Sequence, residues 1–351
     1  MSHEPHSDSS VSRRSLISAS LGAAAAFGMS AAAVGTGGSA AAAEGATSGS
    51  STVTGKTPGG PTKKYAMKKS INLWAFPYPQ KMTLEQCLRL AKDAGFDGIE
   101  LNYDLDNDLS PKSDSKRYAE IRKLCESIDL KVSGLCSFLF WPYPLTTEDP
   151  TKRKRALELA SLMTQCAADL GTENLLVVPG AVTIPWRDDY TPITPKVCDA
   201  RAREAIGKLL PQAEKLGVSL NIENIFFNGY LMTPSEMITF VDSFSSDKVK
   251  VHFDTGNIML YQYPEHWIEM LGTRTKNVHL KEFTTKGTDH SLESFRPLLD
   301  GTTNWPAVLE AFEANKYDGY LTFEYFHPYL HWPEALVYQT SDSLDRMLGR
   351  K

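Results

Sequence analysis

SLNIENI (219–225), VKVHFDTGN (249–257), TKNVHLKEF (275–283) and GYLTFEYF (319–326) decide how this chain reads. Each is a short run dominated by Val, Ile, Leu, Phe and Tyr, and each predicts a buried strand. At or near its C-terminal end each carries one residue that binds hard or borderline metal ions: Glu223, Asp254, His279 and Glu324. Three carboxylates and one imidazole, one from each strand, make a donor set for a single divalent cation. Strand ends on one rim are where a parallel β/α barrel builds its sites.

Outward from that stretch the same rhythm continues. SINLWAF (70–76), GIELNY (98–103), KVSGLCS (131–137) and NLLVVPG (174–180) supply four further strand candidates. Longer amphipathic segments alternate with them and predict helices over 84–94, 115–127, 151–170, 195–216, 234–244, 264–271, 305–314 and 333–348. Thr233-Pro234 and Tyr263-Pro264 put proline in a first helical turn. Gly95, Gly171 and Gly217 stand just past helix ends. Strict alternation of eight strands with eight helices over about 280 residues predicts a (β/α)8 TIM barrel, a single α/β domain spanning 65–351. An open doubly wound sheet is the rival fold. It would carry a glycine-rich phosphate loop after its first strand, and NLWAFPYPQK has no glycine.

Residues 1–64 read differently. Ser12-Arg13-Arg14-Ser15-Leu16-Ile17 precedes an Ala/Gly-rich run to Ala43, the order of a Tat-type export signal, predicted over 1–43 with cleavage near Glu44. The run is poor in Leu and broken by glycines, so stable membrane insertion after processing is not expected. Residues 44–64 are rich in Gly, Ser, Thr and Pro and predict a disordered linker. The expected location is periplasmic or otherwise extracytoplasmic. With 37 basic against 42 acidic residues the chain lacks the positive charge that nucleic acid or an anionic membrane surface demands. The five cysteines (Cys87, Cys125, Cys136, Cys166, Cys198) are odd in number and show no CxxC spacing. They read as buried thiols.

Each site candidate has a bland reading beside the functional one. A buried Glu223 is costly unless it is paired or on a metal. Asp254, ahead of Gly256, can be a helix N-cap. His279 alone on an apolar strand can be a satisfied core residue, but the period of a strand puts Lys281 on its face. His252 faces the same side as Asp254, as second shell or as core. Glu324 is an isolated acid between Phe323 and Tyr325. Glu100, ending GIEL, points to a substrate hydrogen bond or to a salt bridge at the mouth. Asn257 points to a helix cap or to a sugar hydroxyl. Lys281, Arg296 and Trp74 complete the substrate-binding candidates. His290, His327 and His331 fall in loops. Long connections at 104–113, 141–150 and 180–194 carry Trp141, Tyr143, Trp186, Arg187 and Tyr190, either to stack on sugar rings or to pack on one another.

GFDGIEL, NIEN, FDTGN, NVHLKE and YDGYLTFEYF, in this order, resemble the xylose-isomerase-like sugar phosphate isomerase/epimerase superfamily, across roughly 68–348. The ketose 3-epimerase branch holds one divalent ion (Mn2+, Mg2+ or Co2+, with Zn2+ also admissible) on Glu, Asp, His and Glu from strands five to eight. The resemblance places these on Glu223, Asp254, His279 and Glu324. Relatives often carry His where this chain has Asn257, and an Arg followed by a Gly-x-Gly turn where Arg296 precedes LLDGTTNW. Both departures bear on the sugar, not on the metal. The implied chemistry is ketose C3 epimerisation through an enediolate stabilised by the metal, with Glu223 and Glu324 as acid and base. The alternatives are a metal-dependent lyase or dehydratase acting on a keto-inositol or 3-keto-glycoside, and a non-catalytic exported sugar-binding protein. A small carbohydrate is the expected partner, and a homo-oligomer is compatible with the sequence.

Overall fold

The computed structural model describes residues 63–351. The expected signal segment and all but the last two linker residues lie outside that range. Eight parallel strands close a barrel: β1 Lys68–Asn72, β2 Gly98–Tyr103, β3 Lys131–Ser137, β4 Asn174–Val177, β5 Ser219–Glu223, β6 Val249–Asp254, β7 Thr275–Leu280 and β10 Tyr320–Phe323. The ring is completed where β1 pairs with β10, Ile71 opposite Phe323. Two further short strands, β8 Glu282–Phe283 and β9 Phe295–Arg296, form an antiparallel ribbon within the connection after β7. Eight helices alternate with the barrel strands: α1 Leu84–Asp93, α2 Ser115–Ser127, α3 Pro150–Leu170, α4 Pro195–Leu216, α5 Pro234–Asp242, α6 Pro264–Leu271, α7 Trp305–Ala314 and α8 Pro333–Met347. The predicted TIM barrel is the fold observed.

Local chemistry sets the boundaries. Pro stands in the first turn of α3 to α8, where its missing N–H costs no helical bond. Gly171 and Gly217 close α3 and α4 in the left-handed conformation, at φ of 79° and 73°. The first predicted strand is corrected. It ends at Asn72, whose side chain accepts the N–H of Trp74 and turns Leu73–Ala75 into a 3-10 helix. The fourth strand stops at Val177, short of the predicted 180, because the chain leaves the sheet for a long loop.

Strand alternation divides the barrel into two environments. Ile71, Ile99, Leu101, Leu135, Leu220, Ile222, Val251, Phe253, Val278, Leu280, Leu321 and Phe323 are fully buried, and helices cover their side of the sheet. Phe253 stacks on Trp267 of α6 with ring centroids 5.9 Å apart. Each such burial stabilises by about 1.5–3 kcal/mol. The residues between them are polar: Asn72, Glu100, Asn221, Glu223, His252, Asp254, Asn277, His279 and Thr322. Hydrogen bonds link part of this interior layer, Ser70 with Ser133 on the two strands flanking β2 and Asn221 with Asn174 on neighbouring strands. The helix-facing layer holds the fold, and the axial layer carries the polar chemistry. All five cysteines are buried free thiols. No helix among the described residues is long and apolar enough to cross a membrane.

Candidate metal centre

Glu223 and Asp254 are the last residues of β5 and β6, His279 is one residue before the end of β7, and Glu324 directly follows β10. Parallel register brings these strand ends to one level. Asp254 lies opposite His279, and Thr322 pairs with His279 from the other side. One ligand atom from each of the four residues lies within 4.8 Å of the others, and all four residues are buried. The Nδ1 of His279 is 3.4 Å from Glu223 Oε1, 3.5 Å from Glu324 Oε2 and 4.0 Å from Asp254 Oδ2. That nitrogen has no hydrogen-bond partner. Donor atoms around one ion with bonds near 2 Å stand roughly 3 Å apart, so the set fits a divalent cation with little movement.

The supporting contacts explain why these atoms point inward. Asp254 Oδ1 accepts the backbone N–H groups of Gly256 and Asn257 at 2.8 and 2.9 Å, leaving Oδ2 to face the cluster. The helix N-cap reading of Asp254 is corrected: Oδ1 holds the turn at 255–257, where no helix begins, because α6 starts after Tyr263. Asn224 brackets the same turn, donating to Asp254 O and accepting from Asp254 N. Lys281 Nζ lies 3.1 Å from Asp254 Oδ2, also pairs with Glu324, and rests over the rings of Phe295 and Phe326 at 4.8 and 4.7 Å.

Burial and charge set the proton affinities of this group. Burial pushes the Glu223 carboxyl up to about 7, against the pull of His279. Asp254 is raised by burial too, and Lys281 opposes the shift. For Glu324 burial acts upward but is outweighed by Lys281 and His279, so this carboxyl is lowered. Burial disfavours charge on His279, yet Glu100 and Glu324 raise it well above the ordinary imidazole range. His252 is pushed well down by burial and by the neighbouring His279 charge.

Other predicted residues fall in different places. Glu100 is not at the mouth: it is wholly buried, beneath His279, with its Oε2 2.6 Å from His279 Nε2. Asn257 does not cap α6, which starts after Tyr263. Its amide bridges Asn224 O and Lys281 Nζ. Trp74 packs its ring against Phe326 at 5.3 Å, beside the Lys281 ammonium. Arg296 sits on the ribbon, donating to Glu293 O and Phe295 O, with no contact to the cluster. His290, His327 and His331 are exposed and belong to neither group of candidate ligands. Tyr190 donates to Ala181 O within its own connection, which is packing rather than a free stacking face. Trp186 and Arg187 lie half-buried in the 180–194 connection. Sequence reading did not find the Glu100–His279 pair. The signal was the polar residue on the inward phase of β2, which looks the same from the sequence whether it meets solvent or a ring.

A family model described as Xylose isomerase-like TIM barrel matches residues 88–347. The chain belongs to this family. Within the xylose isomerase-like TIM barrels, it is 25% identical over 252 residues to the L-ribulose 3-epimerase of Mesorhizobium japonicum (strain LMG 29417 / CECT 9101 / MAFF 303099), covering 69% of this chain and 75% of that protein. It is 21% identical over 258 residues to L-ribulose-5-phosphate 3-epimerase UlaE of Escherichia coli O1:K1 / APEC, covering 73% and 86%. Among solved structures, the IOLI protein with a bound zinc atom superposes with a TM-score of 0.66 at 17% identity, over 81% of this chain and 99% of that one.

Proposed function

We propose that this protein is a divalent-metal-dependent sugar epimerase that inverts C3 of a free ketose. The observation that carries the reading is the convergence of Glu223, Asp254, His279 and Glu324 within 4.8 Å at the rim of the barrel. The epimerases among its relatives and the zinc atom in the IOLI structure support it. A divalent cation bound there supplies Lewis-acid stabilisation of the negative charge that develops on the ketose oxygens.

The chain's own residues do the rest. Glu223 ends β5 and Glu324 directly follows β10, with β6 and β7 between these strands, so they can flank a sugar bound over the rim. One carboxylate takes the proton from C3 and the other returns one to the opposite face. Asp254 stays fixed by its backbone N–H bonds and takes no part in proton transfer. Lys281 compensates the acidic cluster and presents its ammonium beside Asn257 to the sugar hydroxyls. The Trp74–Phe326 pair supplies an apolar wall against a sugar face. The name of the Mesorhizobium japonicum relative favours an unphosphorylated sugar. The twin arginine at Arg13-Arg14 adds export through the Tat route, hence extracytoplasmic action, to the proposal.

The test is incubation of the Mn2+-loaded protein with a panel of ketoses in D2O. Deuterium at C3 together with the C3 epimer is expected. Glu223→Gln and Glu324→Gln should abolish both, and Asp254→Asn should remove the metal as well. A dehydrated or cleaved product would transfer the assignment to a lyase. Sugar binding with no exchange on any ketose would leave a binding protein.

A further inference from the structure

β2 contributes a buried carboxylate that the proposed chemistry leaves unused. Glu100 is wholly buried, and its Oε2 receives both His279 Nε2 at 2.6 Å and Asn72 Nδ2 at 2.6 Å. Asn72 is held in turn. Its Oδ1 accepts the N–H of Trp74 at 2.8 Å, and its amide also reaches Cys136 Sγ at 3.2 Å. The Cys136 thiol donates to Asn102 Oδ1 at 3.1 Å. Across from these contacts stands Gly134, where a Cβ would come within 2.9 Å of Glu100 Oε1. Three strands thus fix one carboxylate under one imidazole.

Once an ion replaces the proton on Nδ1, the His279 imidazole is neutral and carries a single proton on one of its two distinct nitrogens. A carboxylate only accepts, so the nitrogen facing it must be the donor. With the proton on Nε2, the lone pair of His279 lies on Nδ1, the atom that faces Glu223, Asp254 and Glu324. We propose that Glu100 is a positioning residue: it holds His279 in the Nε2–H tautomer and so aims Nδ1 at the three carboxylates. This inference rests on reading that cluster as a divalent-cation site.

Glu100, His252 and His279 also form a group close enough to share an ion, and both ring nitrogens of His252 lack partners. The separation between Glu100 and His279 decides against a shared ion. At 2.6 Å it is a short hydrogen bond, whereas two ligands of one ion stand roughly 3 Å apart.

The test uses the full chain, Zn2+ as a diamagnetic probe, and proton–nitrogen correlation NMR of isotope-labelled histidines. The wild type should bind one Zn2+ per chain through His279 Nδ1 and show a strongly downfield Nε2–H proton. Glu100→Leu should bind Zn2+ about 10–100-fold more weakly and lose that proton signal. Glu100→Gln keeps an oxygen at the same place, so the proton should persist but move upfield, with intermediate affinity. If the Leu variant does not fold, the Gln variant carries the comparison alone. Asp254→Asn should lose Zn2+ while retaining the downfield proton. Wild-type affinity and an unchanged His279 spectrum in the Glu100 variants would overturn the proposal. So would two Zn2+ per wild-type chain with one lost in Glu100→Leu, because Glu100 would then be a ligand. If the wild type binds no Zn2+, the metal-centre reading fails by itself. The metal-free spectra still score Glu100, since a downfield proton absent from the wild type refutes the orientation and one lost only in Glu100→Leu supports it.

Discussion

Glu223 shows how one side chain couples metal binding to pH. Burial raises its carboxyl from 4.5 to about 7 in the metal-free protein. A folded-state value above the unfolded one contributes stability that is complete below the unfolded value and is lost as pH rises through about 7. His279 is shifted upward as well, so its ring also gives up a proton when Nδ1 takes an ion. A divalent cation replaces these protons and relieves the penalty. The rise in Tm on adding Mn2+ should therefore be larger at about pH 8 than at about pH 5.5. Calorimetric scans with and without Mn2+ at both values measure it, and an equal rise at both would show that the cluster does not bind through deprotonated groups. At this scale the sequence was informative about the ligand candidates and silent about their supports. Glu223, Asp254, His279 and Glu324 are legible because each stands at or beside the end of a strand in a mainly apolar run. The pairing of Glu100 with His279 depends on closure of the barrel, which places β2 and β7 across the axis from each other.

Among the elements, the connection after β7 is the one whose structure departs most from a plain loop. Its β8–β9 ribbon is pinned by Glu282, which is buried and accepts from Trp305 Nε1 at 2.6 Å, Leu299 N at 3.1 Å and Thr303 N at 3.2 Å. Gly301 makes room for this carboxylate: a Cβ there would lie 2.2 Å from Glu282 Oε1 and 2.5 Å from Phe283 O. Gly301→Ala must therefore push the staple apart, at a cost of about 1–3 kcal/mol. Limited proteolysis should cut within 284–303 in the variant and spare the wild type. Equal resistance would show that Glu282 does not hold the connection. From the sequence, helix starts and ends were readable because Pro and Gly act locally, as at Pro234, Pro264, Gly171 and Gly217. The ribbon was not, since two-residue strands have no periodicity and Glu282 reveals its role only through partners some twenty residues away.

For the whole molecule, a lysine on the helix-facing side of β1 makes the closing seam a matter of charge as well as of hydrogen bonding between β1 and β10. Lys69 lies on β1 and is buried, with its Nζ 2.7 Å from Asp345 Oδ1 and 2.8 Å from Ser341 Oγ, both on α8. The first strand and the last helix of the fold are thus joined by an ion pair whose lysine is buried and whose Asp345, 13% exposed, also meets Lys351 Nζ at 3.5 Å. The alternation of eight strands with eight helices announced the barrel, but nothing local to KKSIN shows that its second lysine is buried against the C-terminal helix while the first stays exposed. Removing Lys69 leaves the half-buried Asp345 with the exposed Lys351 as its remaining cation, so Lys69→Met should cost about 1–3 kcal/mol in urea unfolding. Replacing both partners, Lys69→Met with Asp345→Leu, removes the stranded carboxylate and should restore most of that loss. If the single variant costs under about 1 kcal/mol, or if the double variant is as unstable as the sum of the two singles, the seam is held by strand pairing alone and the Lys69–Asp345 pair contributes nothing to closure.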